Sequence, residues 1–389
     1  MTHARTAEAG RRPGGRLPGA GQPVPVETAV AAEPWRGGLL GAPTVAEASL
    51  GRANNFTLLR LALALLVVIS HGFSVVSGDV ADEPLHRLTG HTLGSHAVNG
   101  FFVISGYLVT MSFDRRGWLD YLLARALRIA PGLLAATAFV GLVLGACMTS
   151  LDPVAYFTAP GLWRFLWETA FTYRSNTALP GVFEHNPFRF PMGTVWTLRY
   201  EVLCYAGVFL LGVAGLLRRR RVTVGLLAFL VGSLLALDAF VPDASLRDQT
   251  MLRLPLLFVA GAAFHRLGGA IRLSLPLAVL LAALTVLAHG SFAYNALLYL
   301  TTAYGVMWLA LVPVRSWLPE PRDDISYGVY LYGWPLQQTL RALLPDLGPV
   351  ALLVPSVAAS VLAGWISWRV VERPALALKR RLMGGADAR

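Results

Sequence analysis

The stretch Phe56–Val76, FTLLRLALALLVVISHGFSVV, constrains this chain more than any other. It is long and apolar enough to cross a bilayer as a helix, which takes about 20 residues. It also holds an arginine and a histidine. Arg60 and His71 are eleven residues apart, so at about 100° per residue their side chains share a helix face, roughly 16 Å apart along the axis. Ionisable groups in a spanning helix are costly and usually face the protein interior or a wet cavity. The plainer reading keeps Arg60 at the inner surface and His71 at the outer one.

The run is one of ten. Apolar stretches lie at 56–76, 96–113, 129–149, 194–217, 222–240, 251–267, 273–289, 293–312, 325–344 and 350–371. The sequence predicts an all-α polytopic membrane protein with about ten transmembrane helices. Of the 389 residues 55% are hydrophobic and 14% charged, against about 25% charged in a soluble domain. The net charge of +11 is topological and does not point to nucleic acid. The tail (Arg5, Arg11, Arg12, Arg16, Arg36, Arg52) and the even connections carry most of the arginines: Arg115, Arg116, Arg125, Arg128, then Arg218–Arg221, Arg266, Arg272, Arg315 and Arg322. The C-terminal end adds Arg373, Lys379, Arg380 and Arg381, and the odd connections hold acids such as Asp79, Asp152 and Asp243. The positive-inside rule then puts both termini in the cytoplasm. Residues 1–52, rich in Gly, Pro and Ala, read as a disordered tail without a signal peptide. Residues 53–376 read as the membrane domain and 377–389 as a basic cytoplasmic tail. Cys147 and Cys204 sit in apolar segments and form no disulfide or metal pattern.

Four further polar stretches interrupt the spans. Gly100–Leu108, GFFVISGYL, reads as small-residue helix packing. In RALRIAP, Arg125 and Arg128 adjoin on one face before Pro131, which ends or kinks the turn. Paired guanidinium groups suit a phosphate, although lipid headgroups would serve as well. In GTVWTLRYEVLCY, Glu201 lies inside an apolar run, where a carboxylate needs a cation or a function. The stretch Asp324–Gln338, DISYGVYLYGWPLQQ, is crowded with aromatics and reads as an interfacial belt or a broken helix lining a cavity. Val371–Pro374, VERP, reads as a stop with a local ion pair. The long third connection, 150–193, is rich in Pro and aromatics and reads as a lid or binding segment.

In order and wording these segments resemble the integral-membrane acyltransferase-3 family, which includes bacterial O-antigen and exopolysaccharide O-acetylases. The resemblance rests on R-x10-H at Arg60 and His71, GFFVISGYL, RxxRIxP at 125–131, WTLxxE at Trp196–Glu201, SYGVYLYGWP at 326–335 and VERP. It covers residues 54–376. Many members have His before the Trp-Pro of the ninth span, where this chain has Gly333. The resemblance implies transfer of an acyl group, usually acetyl, from a coenzyme A thioester to a hydroxyl of a carbohydrate or glycolipid acceptor, in the bacterial inner membrane. It implies acyl-CoA as co-substrate and no permanently bound cofactor or metal. Membrane lipids are partners, and a homo-oligomer or polysaccharide-assembly partners remain open.

On this basis Arg60, Arg125 and Arg128 are expected to bind the donor. His71 is expected to act as general base, or through a covalent acyl intermediate. Helix orientation and spacing put Glu201 at a depth similar to His71, where it would orient the imidazole. Trp196, Tyr200 and Tyr330 are weaker candidates for acceptor binding. A polytopic transporter or flippase without chemistry is the alternative, although no internal repeat supports it.

Overall fold

A computed structural model describes residues 41–51, 54–115, 117–241, 243–311 and 321–384, with side chains as far as Lys379. Residues 1–40, Arg52, Arg116, Arg315, Arg380 and Arg381, which enter the tail and charge arguments above, lie outside this description. Among the described residues there is no strand, only two isolated bridges.

Each of the ten apolar stretches falls on a helix, the shortest of 13 residues and the longest of 23. These are α1 Phe56–Ser77, α2 Leu93–Arg115, α3 Trp118–Ala138, α4 Trp196–Val213 and α5 Arg220–Phe240. The others are α6 Leu246–Arg266, α7 Leu275–Leu287, α8 Tyr294–Leu311, α9 Ser326–Leu343 and α10 Pro349–Ser367. α3 continues through a π-turn, Phe139–Leu144, to Met148. α10 continues through a second π-turn, Trp368–Glu372, into Arg373–Gly384. Among the described residues six helices (α1 to α5, and α10 with its extension) are long and apolar enough to cross a membrane.

α9 fails that test for a physical reason. From Ser326 to Gln338 all but Leu336 are buried, Gln337 and Gln338 included, and the helix packs between α1 and α10. A helix that does not meet lipid has no need of an apolar surface. Its burial also carries it straight through Gly333 and Pro335, so it is not the broken helix that these residues predict. Likewise α3 runs on through Pro131. A Cβ on Gly333 would sit 2.7 Å from the Val68 side chain of α1, and an imidazole there would collide with α1. α5 and α7 bury few residues and form the periphery.

α2 crosses α6 at backbone distance. A Cβ on Gly106 would overlap the Phe258 carbonyl, and one on Gly261 would overlap that of Val103. Only glycine permits this approach.

Both ends differ from the sequence expectation. Residues 41–51 are folded: Thr44 and Glu47 form a capping box, and Val45 donates its N–H to the Ile271 carbonyl at 2.9 Å. Ala42 and Val45 are buried there. Two apolar residues beside a cap outweigh the Gly/Pro-rich composition around them. The boundary drawn at 376 falls within a helix, and Lys379 reaches back to Asp120 at 2.8 Å.

The third connection decides the geometry of the site. It forms two short helices, Pro153–Thr158 and Pro160–Thr172, and then sinks into the bundle. Leu179, Val182, Phe183, Met192 and Val195 are buried. Asn186 donates to the Gln338 carbonyl at 2.9 Å and to its Oε1 at 2.7 Å. Trp334 Nε1 donates to the Phe190 carbonyl at 2.9 Å, and the Tyr330 hydroxyl to that of Thr194 at 2.9 Å. The segment thus descends along α9 by about two turns before α4 begins.

Candidate active site

A cavity of about 1500 Å³ lies between α1, α2, α3, α4, α9 and the extension of α10. Eight basic residues line it against four acidic ones, so it attracts anions. Arg60, Arg125, Arg128, Glu201 and Tyr330 all line it; His71, Trp196 and Tyr200 do not.

At its centre stands Asp324, just before α9. Its Oδ2 accepts from Arg60 at 2.5 Å and from Arg128 at 2.9 Å, and its Oδ1 from the Ser326 hydroxyl at 2.6 Å. Burial alone would raise this carboxyl. Arg128 and Arg60 more than offset that and hold it well below the usual carboxylate range. Arg128 also lies 3.8 Å from Glu372, whose other oxygen accepts from Ser367 at 3.0 Å. The π-turn at the end of α10 supplies Glu372 to the interior, so the VERP glutamate pairs across the bundle instead of locally with Arg373.

Arg125 and Arg128 adjoin as their spacing requires but differ in state. Arg125 lies over the Tyr205 ring, 5.5 Å from its centroid. It has no carboxylate partner among the described residues, and its buried Nε has no hydrogen bond. Glu201 accepts from the Tyr205 hydroxyl and, at 3.5 Å, from Ser105. The stretch GFFVISGYL therefore serves the cavity through Ser105 as well as packing through Gly106.

His71 lies elsewhere. Its ring meets the Trp334 edge at 5.0 Å, and Trp334 stacks on Phe190 at 5.4 Å. α1 and α9 run side by side in the same direction, joined by Arg60–Asp324 at one end and by Gln337 Nε2 to the Val68 carbonyl, 2.7 Å, further along. Thr197 of α4 meets the Tyr330 hydroxyl at 2.6 Å. Glu201 is one turn from Thr197 toward Asp324, and Trp334 is one turn from Tyr330 the opposite way. The carboxylate and imidazole are therefore about 12 Å apart along the axis. The expected equal depth, and the pairing built on it, are not found. The descending segment starts α4 deep in the bundle and lowers Glu201 to the level of Arg60. Trp196 and Tyr200 pack edge to face on each other, 6.0 Å between centroids. Tyr330 stands at the inner end of the cavity.

The sequence reading missed Asp324, Ser105, Tyr205 and the inward turn of Glu372. A signal for the first existed: two adjoining arginines and Arg60 at one depth require an anion, and Asp324 opens a stretch read only for its aromatics.

The chain matches a family model described as an acyltransferase domain, Acyl_transf_3, over residues 54–369. The chain belongs to the acyltransferase-3 family. An "O-acetyl transferase" of Shigella phage Sf6 is 25% identical over 338 residues, 83% of this chain and 96% of that protein. "Nodulation protein 10" of Rhizobium leguminosarum bv. viciae is 29% identical over 363 residues, 87% of this chain and 97% of its own length. No solved structure matches. The acyltransferase match covers Arg60, Arg125, Arg128, Asp324 and His71, though not Arg373 and Lys379 at the cavity's edge, and O-acyl transfer is the activity that the family and the phage relative support.

Proposed function

We propose that the protein moves an acyl group, acetyl in the simplest case, from a coenzyme A thioester to a hydroxyl of a carbohydrate-type acceptor, a surface polysaccharide or glycolipid. It does so in the inner membrane of a bacterium, with ten spans and both termini in the cytoplasm. The observation that carries the reading is the cavity in which Arg125, without a carboxylate partner among the described residues, stands beside Arg60 and Arg128, an arrangement that fits the phosphates of the donor. Arg115, Arg322, Arg369 and Arg373 also line it, and on the positive-inside reading they face the side on which acyl-CoA is made.

The pantetheine arm then runs inward toward Tyr330, and the thioester passes beyond it to reach His71. There the imidazole takes the proton of the acceptor hydroxyl as its oxygen attacks the thioester carbonyl. The C–S bond breaks, and the thiolate leaves with the proton that the imidazolium returns. Glu201 works on the donor side, fixing Tyr205 and Ser105 in the cavity wall, and does not orient His71.

Mass spectrometry of surface glycans from cells with wild-type protein, His71→Ala or no gene tests this. A mass difference of one acyl group, present only with the wild type, is expected. Acylation that survives His71→Ala in an inserted protein would remove the base role. Unchanged glycan masses with altered glycan export would favour the transporter.

A further inference from the structure

The helix Pro160–Thr172 has a feature that the acyl-transfer reading does not use. Trp163, Trp167 and Phe171 recur every four residues and form one stripe, exposed by 56%, 62% and 59%. The opposite face, Leu162, Phe165 and Thr169, is buried. A third face carries Arg164 and Glu168, and Glu168 holds Arg164 at 2.9 Å, Arg174 at 3.0 Å and the Thr177 hydroxyl at 2.6 Å. The helix thus has a protein face, an aromatic face and a charged face.

We infer that this helix lies flat in the bilayer interface, with the Trp163–Trp167–Phe171 stripe among lipid chains and the Arg164–Glu168–Arg174 cluster in water.

Three observations point to lipid as the occupant. The helix packs across the π-turn of α3, where a Cβ on Gly141 would lie 2.8 Å from Leu166. The stripe therefore continues the apolar belt that α3 itself exposes through Phe139, Leu142 and Val143. Trp163 satisfies its indole N–H on the Phe157 carbonyl at 3.1 Å, and its ring needs no water. The ion cluster marks the aqueous boundary, as the polar face of an interfacial helix does. The anchor also bears on the site. Tyr173 ends the helix in the left-handed region, φ 56°, and turns the chain into the segment that descends to Trp334. Lipid therefore fixes where that segment enters the bundle. The inference rests on the outer placement of the third connection proposed above.

Nitroxide labels placed singly at 163, 167, 164 and 174, in a Cys147→Ser/Cys204→Ala background in lipid nanodiscs, test it through collision with oxygen and with a water-soluble nickel chelate. Labels at 163 and 167 are expected to favour oxygen, and those at 164 and 174 nickel, by several-fold each way. Nickel-accessible labels at 163 and 167 would overturn the anchor and indicate an aqueous face, such as a sugar platform. Labels shielded from both reagents would also overturn it and indicate a second copy of the chain. As a check free of cysteine variants, brominated phospholipid should quench wild-type tryptophan fluorescence more than that of Trp163→Phe/Trp167→Phe; equal quenching counts against the anchor. An impermeant thiol reagent applied to spheroplasts carrying Arg164→Cys in the same Cys147→Ser/Cys204→Ala background separates the two readings. Labelling only after permeabilisation would overturn the outer placement and leave the interfacial position to the collision data.

Discussion

At the scale of single residues, the site is organised by a carboxylate shared between two arginines. Removing it leaves two facing cations with nothing between them. Asp324→Asn is therefore expected to destabilise the protein by about 2–4 kcal/mol, because breaking a buried pair strands charge. Arg128→Met added to Asp324→Asn should recover part of that loss, and thermal unfolding in detergent measures both. Arg125 is the contrasting case. It holds no carboxylate among the described residues, so Arg125→Ala should lose only its contact with Tyr205 and lower the unfolding temperature far less than Asp324→Asn. Each charge-assisted bond to the donor is worth about 1.5–3 kcal/mol, so affinity for acetyl-CoA by calorimetry should fall roughly 10- to 100-fold. The individual candidates were legible as costly polar residues in apolar runs. Their partners were less so, since a carboxylate beside a cytoplasmic arginine looks the same in sequence whether it is buried or solvated.

At the scale of elements, sequence located all ten helices but misjudged the depth of one. Apolar runs determine which segments leave water, whereas the start of α4 is set by the Asn186 amide donating to α9 and by the Phe190 and Thr194 carbonyls accepting from it, which no local pattern reveals. Gly106 is the opposite case, since its small-residue context announces close packing. Gly106→Ala should push α2 from α6 and cost about 1–3 kcal/mol, seen as a lowered melting temperature. The outer helix offers a pH test. The Thr177 hydroxyl and Arg164 hold the Glu168 carboxyl at about 2. A depressed folded-state value stabilises above the ordinary glutamate range, near 4.3, and that contribution fades as pH falls toward the folded value. Proteolysis of the 173–178 segment should accelerate between about pH 5 and pH 3, and in Glu168→Gln it should already be fast at neutral pH.

At the scale of the whole molecule, charge asymmetry and the cavity agree on one polarity. The arginine-lined mouth and the ends of α2, α3 and α10 lie together, and the third connection closes the other side. Reporter fusions at both termini should be active only as cytoplasmic reporters. A fusion after Asp152 should be active only outside; the opposite pattern would turn the donor cavity away from the compartment that supplies acyl-CoA. That polarity remains the proposal of the arginine placement, which is a property of the entire chain. The spacing of Arg60 and His71 was legible in the sequence, since both lie on one helix of fixed rise.

The descending segment also dictates an order of assembly. Its hydrogen bonds reach residues 136 to 152 positions later in the chain. While the first eight helices are being made, Asn186, the Phe190 carbonyl and the Thr194 carbonyl have no partner, and they cannot stay in lipid without one. The stretch must wait at the membrane surface until α9 emerges from the ribosome. The Trp334 side of the His71 seat is then supplied in one late step by α9, and the arginine-lined cavity is completed only when the extension of α10 follows it.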